Sequence, residues 1–171
     1  MLRLEVPGIG DGKAAHALVA ACPPLDLNST YAYLLLCSHF AQTCVIARQG
    51  GRAVGFVSAY RPPERQETIF VWQVAVAAAA RGQGLARRML RELLARPAVR
   101  GCRYLETTVT PSNAPSTRLF RGLAAELGAP LDEKPLFTEE DFGAERHEAE
   151  MLFRVGPFGA QPRKERAPHE P

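Results

Sequence analysis

The chain is 171 residues long and 46% hydrophobic, which makes one globular domain and excludes a disordered or fibrous polypeptide. Its formal charge of +3, from 21 Lys and Arg against 18 Asp and Glu, is too mild to indicate nucleic-acid binding. The longest purely apolar run, Val74 to Ala80, is too short to cross a bilayer, and no charged segment followed by an apolar one opens the chain, so a cytoplasmic protein is expected.

In chain order, Leu2–Val6 alternates apolar and charged residues as a half-buried strand does. Asp11 can cap a helix to about Cys22, which Pro23 and Pro24 stop. A second helix starts at Asn28 or Ser29 and carries Tyr31, Leu34, Leu35 and Phe40. Thr43–Arg48 and Arg52–Tyr60 are β-rich runs joined by Gly50-Gly51, a hairpin signal. Thr68–Val76 follows as a near-continuously apolar, hence central, strand. After Gly82 and Gly84 the period changes: Leu85, Met89, Leu90, Leu93 and Leu94 fall at helical spacing until Pro97. Tyr104–Thr110 is a strand, Pro111-Ser112-Asn113 a turn, and Pro115 opens a helix to about Leu127. Gly128–Arg146, with mixed charge and two prolines, reads mostly as loop, and Glu150–Val155 as a last strand. Residues 1–156 thus form the domain. Residues 157–171 carry one large apolar side chain, Phe158, and are expected to be a disordered tail.

This order describes an α+β domain with a mixed, mostly antiparallel central sheet flanked by helices. Thr68–Val76 and Tyr104–Thr110 are expected to be parallel neighbours joined by a right-handed crossover. The four cysteines, Cys22, Cys37, Cys44 and Cys102, include no C-x-x-C pair and read as small hydrophobes rather than ligands or disulfides.

Chemistry concentrates after the central strand. Arg81-Gly82-Gln83-Gly84-Leu85-Ala86 is a glycine turn opening a helix, where unpaired backbone N–H groups attract phosphate. Seven arginines lie between Arg81 and Arg103, with Glu92 the only acid among them. The turn is neither the G-x-x-x-x-G-K-[ST] phosphate loop nor the dinucleotide G-x-G-x-x-G, so a nucleotide triphosphatase or Rossmann dehydrogenase is disfavoured.

Arg81-x-x-Gly84-x-Ala86 resembles the R/Q-x-x-G-x-G/A signature of the GNAT superfamily of acetyl-CoA-dependent N-acetyltransferases, and the element order from Leu2 to Val155 resembles theirs. The resemblance implies that Arg81, Gly82, Gly84, Leu85 and Ala86 hold the CoA pyrophosphate. It further implies that the backbone of a splayed Trp72–Val76, at Val74 and Val76, meets the pantetheine and the thioester oxygen, and that Asn113 contacts CoA. A narrower resemblance, to the L-2,4-diaminobutyrate acetyltransferases of ectoine biosynthesis, rests on Pro23–Tyr33, on Phe70–Val76, on Pro111-Ser112-Asn113 and on His147-Glu148-x-Glu150. It implies that acetyl passes from acetyl-CoA to the 4-amino group of diaminobutyrate; ornithine, a polyamine, or a non-catalytic CoA-binding role remain alternatives.

Acyl transfer needs a neutral amine, and an alkyl amine has a pKa near ~10, so the site must help remove a proton. On this reading Asp26, His147 and Glu150 are candidates for catalysis and, with Tyr31 and Trp72, for acceptor binding. His147-Glu148-Ala149-Glu150-Met151 lacks the second histidine of a zinc H-E-x-x-H site, so no metal is expected. Many superfamily members place a proton-donating tyrosine early in the helix after the Asn turn. The matching residue here is Phe120, which cannot donate, and the general acid stays unassigned. A homodimer is what the superfamily implies for assembly.

Overall fold

A computed structural model describes residues 1–144 and 146–159. Seven strands, β1 (Leu2–Glu5), β2 (Val45–Gln49), β3 (Arg52–Tyr60), β4 (Thr68–Val76), β5 (Tyr104–Val109), β6 (Leu131–Phe137) and β7 (Glu150–Val155), form one sheet in the order β1-β2-β3-β4-β5-β7-β6. Every neighbouring pair is antiparallel except β4–β5, which is parallel as expected.

Period-two alternation divides the sheet between two cores. Val45, Val57, Val71, Leu105 and Phe153 face one side and pack beneath Leu85, Met89, Leu90 and Leu93 of α3 (Leu85–Ala95) and Phe120 and Leu123 of α4 (Ala114–Glu126). Ile46, Phe56 and Ala75 face the other side, under Leu18 and Val19 of α1 (Gly12–Ala20) and Tyr33 and Leu36 of α2 (Thr30–Leu36). On that second face the side chains of β5 and β7 that alternate with the core positions are Tyr104, Glu106, Thr108, Glu150, Leu152 and Arg154, four of them polar or charged. Glu106 is completely buried there; it accepts from Arg65 at 2.7 Å and from Arg154, whose guanidinium lies 3.8 Å over the Tyr104 ring.

Three expectations need correction. The segment expected to be loop contains β6, an edge strand of mostly exposed residues pairing only with β7. Its charges and Pro135 mask it in the sequence, yet these are the residues an unpaired edge tolerates, and the register shifts at Pro135. The second helix ends at Leu36; Phe40 lies beyond it, packed edge-on to Tyr60 at 6.4 Å. Phe158, assigned to the tail, packs against the α3–α4 core, and its N–H donates to the Arg103 carbonyl at 2.9 Å. The fold therefore continues past residue 156; the rest of the expected tail, residues 160–171, lies outside the described residues.

The docking of Phe158 is testable. Truncation after Gly156 is expected to destabilise the protein by about 1–2 kcal/mol, the burial of part of one phenylalanine, while truncation after Gly159 retains that contact. Thermal melts of the two truncated chains should differ by several degrees; equal melts would show that Phe158 contributes nothing.

The four cysteines are free, three of them buried. Burial pushes the Cys37 thiol up to about 11 and the Cys44 thiol up to about 12, consistent with small apolar packing residues. Among the described residues no helix is long and apolar enough to cross a membrane.

Candidate active site

The site begins where β4 leaves β5. The two strands pair only from Thr68↔Tyr104 to Val71↔Thr107, although both run on, so beyond Val71 the sheet opens into a V. The opening follows a bulge at Trp72, where the β3–β4 register passes from Ala59↔Val71 to Ser58↔Gln73. Ala77 N–H donates to the Val54 carbonyl at 2.9 Å. Antiparallel alternation then turns the backbone groups of Ala75 toward β3 and those of Val74 and Val76 into the opening. The Val76 carbonyl accordingly accepts from Arg81 Nε at 3.0 Å and Cys22 Sγ at 3.4 Å, while the same alternation turns the N–H groups of both Val74 and Val76 toward the opening.

A cleft of about 490 Å³ runs from this opening to the start of α3. Val74, Val76, Arg81, Gly82, Gly84, Leu85, Ala86 and Asn113 all line it. Gly82 and Gly84 have φ of 74° and 72°, left-handed values that favour glycine, and a Cβ at either would meet nothing within 4 Å. The first helical N–H taken up internally is that of Arg88, on the Gly84 carbonyl at 3.1 Å. The N–H groups of the preceding turn therefore face the cleft unpaired, beneath a positive helix end.

The arginine field is partly structural. Arg87 and Arg91 pair with Glu126 of α4, and Arg96 is buried against the Cys44 carbonyl. Arg81 and Arg87 line the cleft, and Arg118 of α4 joins them from the far wall. Arg118 was not singled out from the sequence, where it is one cation of a polar helix start. Asn113 has a second duty as the N-cap of α4, its Oδ1 accepting from Ser116 N–H at 3.2 Å. Phe120 does not face the cleft: it is buried in the core, while Ser116 and Leu119 line the wall. The position matched to a proton donor thus points inward on the helix.

Three of the residues expected to bind the acceptor, Asp26, His147 and Glu150, gather at one place. His147 Nε2 lies 3.2 Å from Asp26 Oδ2 and 3.8 Å from Glu150 Oε1, although Asp26 and His147 are 121 positions apart in sequence. Its ring stacks on Phe142 at 3.9 Å between centroids, and Nδ1 lies 2.6 Å from the Glu148 carbonyl. Both ring nitrogens therefore face acceptors, an arrangement that suits the imidazolium. The Glu148 carbonyl, then Asp26 and Glu150, raise the His147 pKa above its ordinary value. Burial raises that of Glu150, with a hydrogen bond from Thr108 and the charge of His147 opposing. Donor atoms of Asp26, His147 and Glu150 all lie within 4.8 Å of one another, so the set could hold a cation. Two carboxylates beside a ring nitrogen equally receive an ammonium group.

Of the other acceptor candidates, Trp72 sits on the bulge, 41% exposed and so not a core residue, and Tyr31 at the start of α2 is 68% exposed; neither is enclosed with the acids. In the sequence Glu148 stands out only as part of the His147-Glu148-x-Glu150 motif. Its carboxylate accepts from Ser112 N–H at 3.1 Å and from the Ser112 hydroxyl, tying the His147 segment to the Asn113 turn.

The Acetyltransferase (GNAT) family model matches residues 13–124. An L-2,4-diaminobutyric acid acetyltransferase of Bordetella parapertussis is 55% identical over 93% of this chain and 86% of its own length. That of Methylotuvimicrobium alcaliphilum is 49% identical over 94% and 93%. The chain belongs to the L-2,4-diaminobutyric acid acetyltransferases of the GNAT family. Its structure is similar, with a TM-score of 0.91 and 44% identity over 94% of this chain and 98% of the other, to diaminobutyrate acetyltransferase EctA from Paenibacillus lautus in complex with its substrate L-2,4-diaminobutyric acid and coenzyme A. The acetyltransferase fold and acyltransferase class expected from the sequence are those of this family.

Proposed function

We propose that the protein transfers the acetyl group of acetyl-CoA to the 4-amino group of L-2,4-diaminobutyrate, a step toward ectoine. The observation that carries the assignment of roles is the meeting of Asp26, His147 and Glu150 beside the opened end of β4. In this reading the cleft between β4, α3 and α4 holds CoA. The α3 start and Arg81 meet the pyrophosphate, and the Val74 N–H is the donor for the thioester oxygen as charge develops there.

The acceptor arrives as an ammonium ion, which has no lone pair with which to attack. Asp26 and Glu150 bind it as carboxylates. Once neutral, His147 keeps its proton on Nδ1, where the Glu148 carbonyl accepts it, and so presents its lone pair at Nε2 toward the same space. His147 takes one proton from the ammonium; the freed amine attacks the thioester carbon, the C–S bond breaks, and the second amine proton leaves to the CoA sulfur or to water. A thiol with a pKa near ~8.5 can depart unprotonated, so no donor is needed at Phe120. We further propose a cytoplasmic protein that forms a homodimer; the exposed apolar side chains of Tyr31, Trp72 and Phe137 support the second of these.

The pH dependence follows from the direction of the His147 shift. Because its folded pKa is raised, the attraction between imidazolium and the two acids stabilises the fold fully below the ordinary histidine value and is lost as pH rises through the raised one. Catalysis runs the opposite way: kcat/KM for the acceptor should climb with pH through that same raised value as neutral His147 appears. His147→Asn is expected to lower kcat/KM by about 10²–10⁴-fold and to remove this limb, with partial recovery at high pH where free amine is abundant. An unchanged pH–rate profile in His147→Asn would dismiss His147 as the base.

A further inference from the structure

A single buried amide joins the two halves of the site. Gln73, at the bulge in β4, is 4% exposed and uses both ends of its side chain. Its Oε1 accepts from the Tyr33 hydroxyl at 3.1 Å, and its Nε2 donates to the Asp26 main-chain carbonyl at 2.6 Å. Its own backbone N–H donates to Ser58 Oγ at 3.1 Å. The Asp26 carbonyl can only accept, so the amide has one workable orientation and Tyr33 must be the donor at the other end.

Tyr33 is a firm anchor. It is completely buried on the face of α2 that meets α1 and the sheet, with its ring 5.5 Å from that of His16 and 6.3 Å from that of Phe56. Asp26, by contrast, lies in the irregular segment between α1 and α2, with a side chain 74% exposed. A residue in such a segment keeps its carboxylate in place only if its backbone is held. The main-chain bond from Gln73 supplies that hold, and it comes from the residue between Trp72 and Val74.

We propose that Gln73 is a positioning residue that fixes the distance between the amine-binding carboxylate of Asp26 and the thioester-binding backbone of β4. This rests on the acceptor site assigned above. Gln73 touches neither substrate in this scheme; it acts through Asp26, and Tyr33 acts through Gln73.

The test is a double-mutant cycle read as kcat/KM for diaminobutyrate, with acetyl-CoA affinity measured in parallel. Gln73→Leu removes the donor to Asp26 and is expected to lower kcat/KM by about tenfold or more while acetyl-CoA affinity changes by less than about twofold. In an Asp26→Ala background, where no carboxylate remains to be placed, the same substitution should have almost no further effect, the non-additivity expected of residues acting through one contact. Gln73→Leu leaves the buried Tyr33 hydroxyl without a partner and can unfold the protein. Tyr33→Phe/Gln73→Leu removes both polar partners and restores an apolar fit, so the cycle can be run in that form. Two results overturn the proposal while leaving the acceptor site standing: Asp26→Ala is crippling but Gln73→Leu is within about twofold of the parent, or the two losses multiply in the double variant. If Asp26→Ala is itself harmless, the acceptor site falls and the proposal with it.

Discussion

Gly84→Asp is expected to weaken acetyl-CoA binding by at least about 100-fold, or 2.7 kcal/mol, in a protein that remains folded. The backbone at Gly84 has φ of 72°, and the space a Cβ would enter is empty, because in this account it is the space the pyrophosphate fills. A carboxylate placed there takes up the helix-start N–H groups itself and opposes the phosphate charge. Aspartate tolerates the left-handed conformation better than most residues, and it suits a helix start, so loss of the fold is not expected. Gly128, beyond the end of α4, is the control: its φ is 59° and its Cβ space is equally open. Gly128→Asp introduces the same backbone strain and should leave CoA affinity intact. Calorimetry in which Gly84→Asp binds CoA like the parent would remove the cleft from its assigned role.

The second large effect belongs to the acceptor acids. Asp26→Asn and Glu150→Gln each replace a carboxylate near His147 by an amide of nearly the same shape, and a charged hydrogen bond is worth about 1.5–3 kcal/mol. Each variant is therefore expected to lose roughly 10- to 100-fold in kcat/KM for diaminobutyrate, with acetyl-CoA affinity unchanged. Asp26→Asn should also shift the His147 limb of the pH profile toward lower pH, because it removes one of the groups that raise that pKa. Selectivity against ornithine should fall in both variants. An apolar pocket discriminates one methylene by only about 1–3 kcal/mol, so stronger discrimination has to come from charges at fixed separation. Steady-state kinetics at pH 7.5 that match the parent in both variants would place the acceptor elsewhere.

The parts of this arrangement visible in the sequence are those that local chemistry dictates. β4 reads as central because it is near-continuously apolar, and α3 reads as amphipathic with glycines at its start. β6 stays hidden because an exposed edge strand has no buried face to impose alternation: Asp132, Glu133, Lys134 and Pro135 look like a loop until the pairing with β7 is seen. The meeting of Asp26 with His147 joins the segment before α2 to that before β7, a proximity that only tertiary structure creates. The family resemblance makes each of them a site candidate, but their contact is not readable from it or from spacing. Phe120 illustrates the limit of such matching, since one residue's rotation on a helix separates Leu119 at the cleft from Phe120 in the core. Gln73 did leave a signal, as the one polar residue in the apolar run from Phe70 to Val76. Its partners, on α2 and in the Asp26 segment, could not be read from the strand.

The central claim is transfer of acetyl from CoA to the 4-amino group of diaminobutyrate. Its most direct test is to supply acetyl-CoA labelled in the acetyl group together with diaminobutyrate, ornithine, lysine or spermidine, and to follow thiol release and the position of the label by NMR. The account expects diaminobutyrate to be the preferred acceptor, with the label on its 4-nitrogen. Thiol release driven best by another amine, or label on the 2-nitrogen, would contradict it.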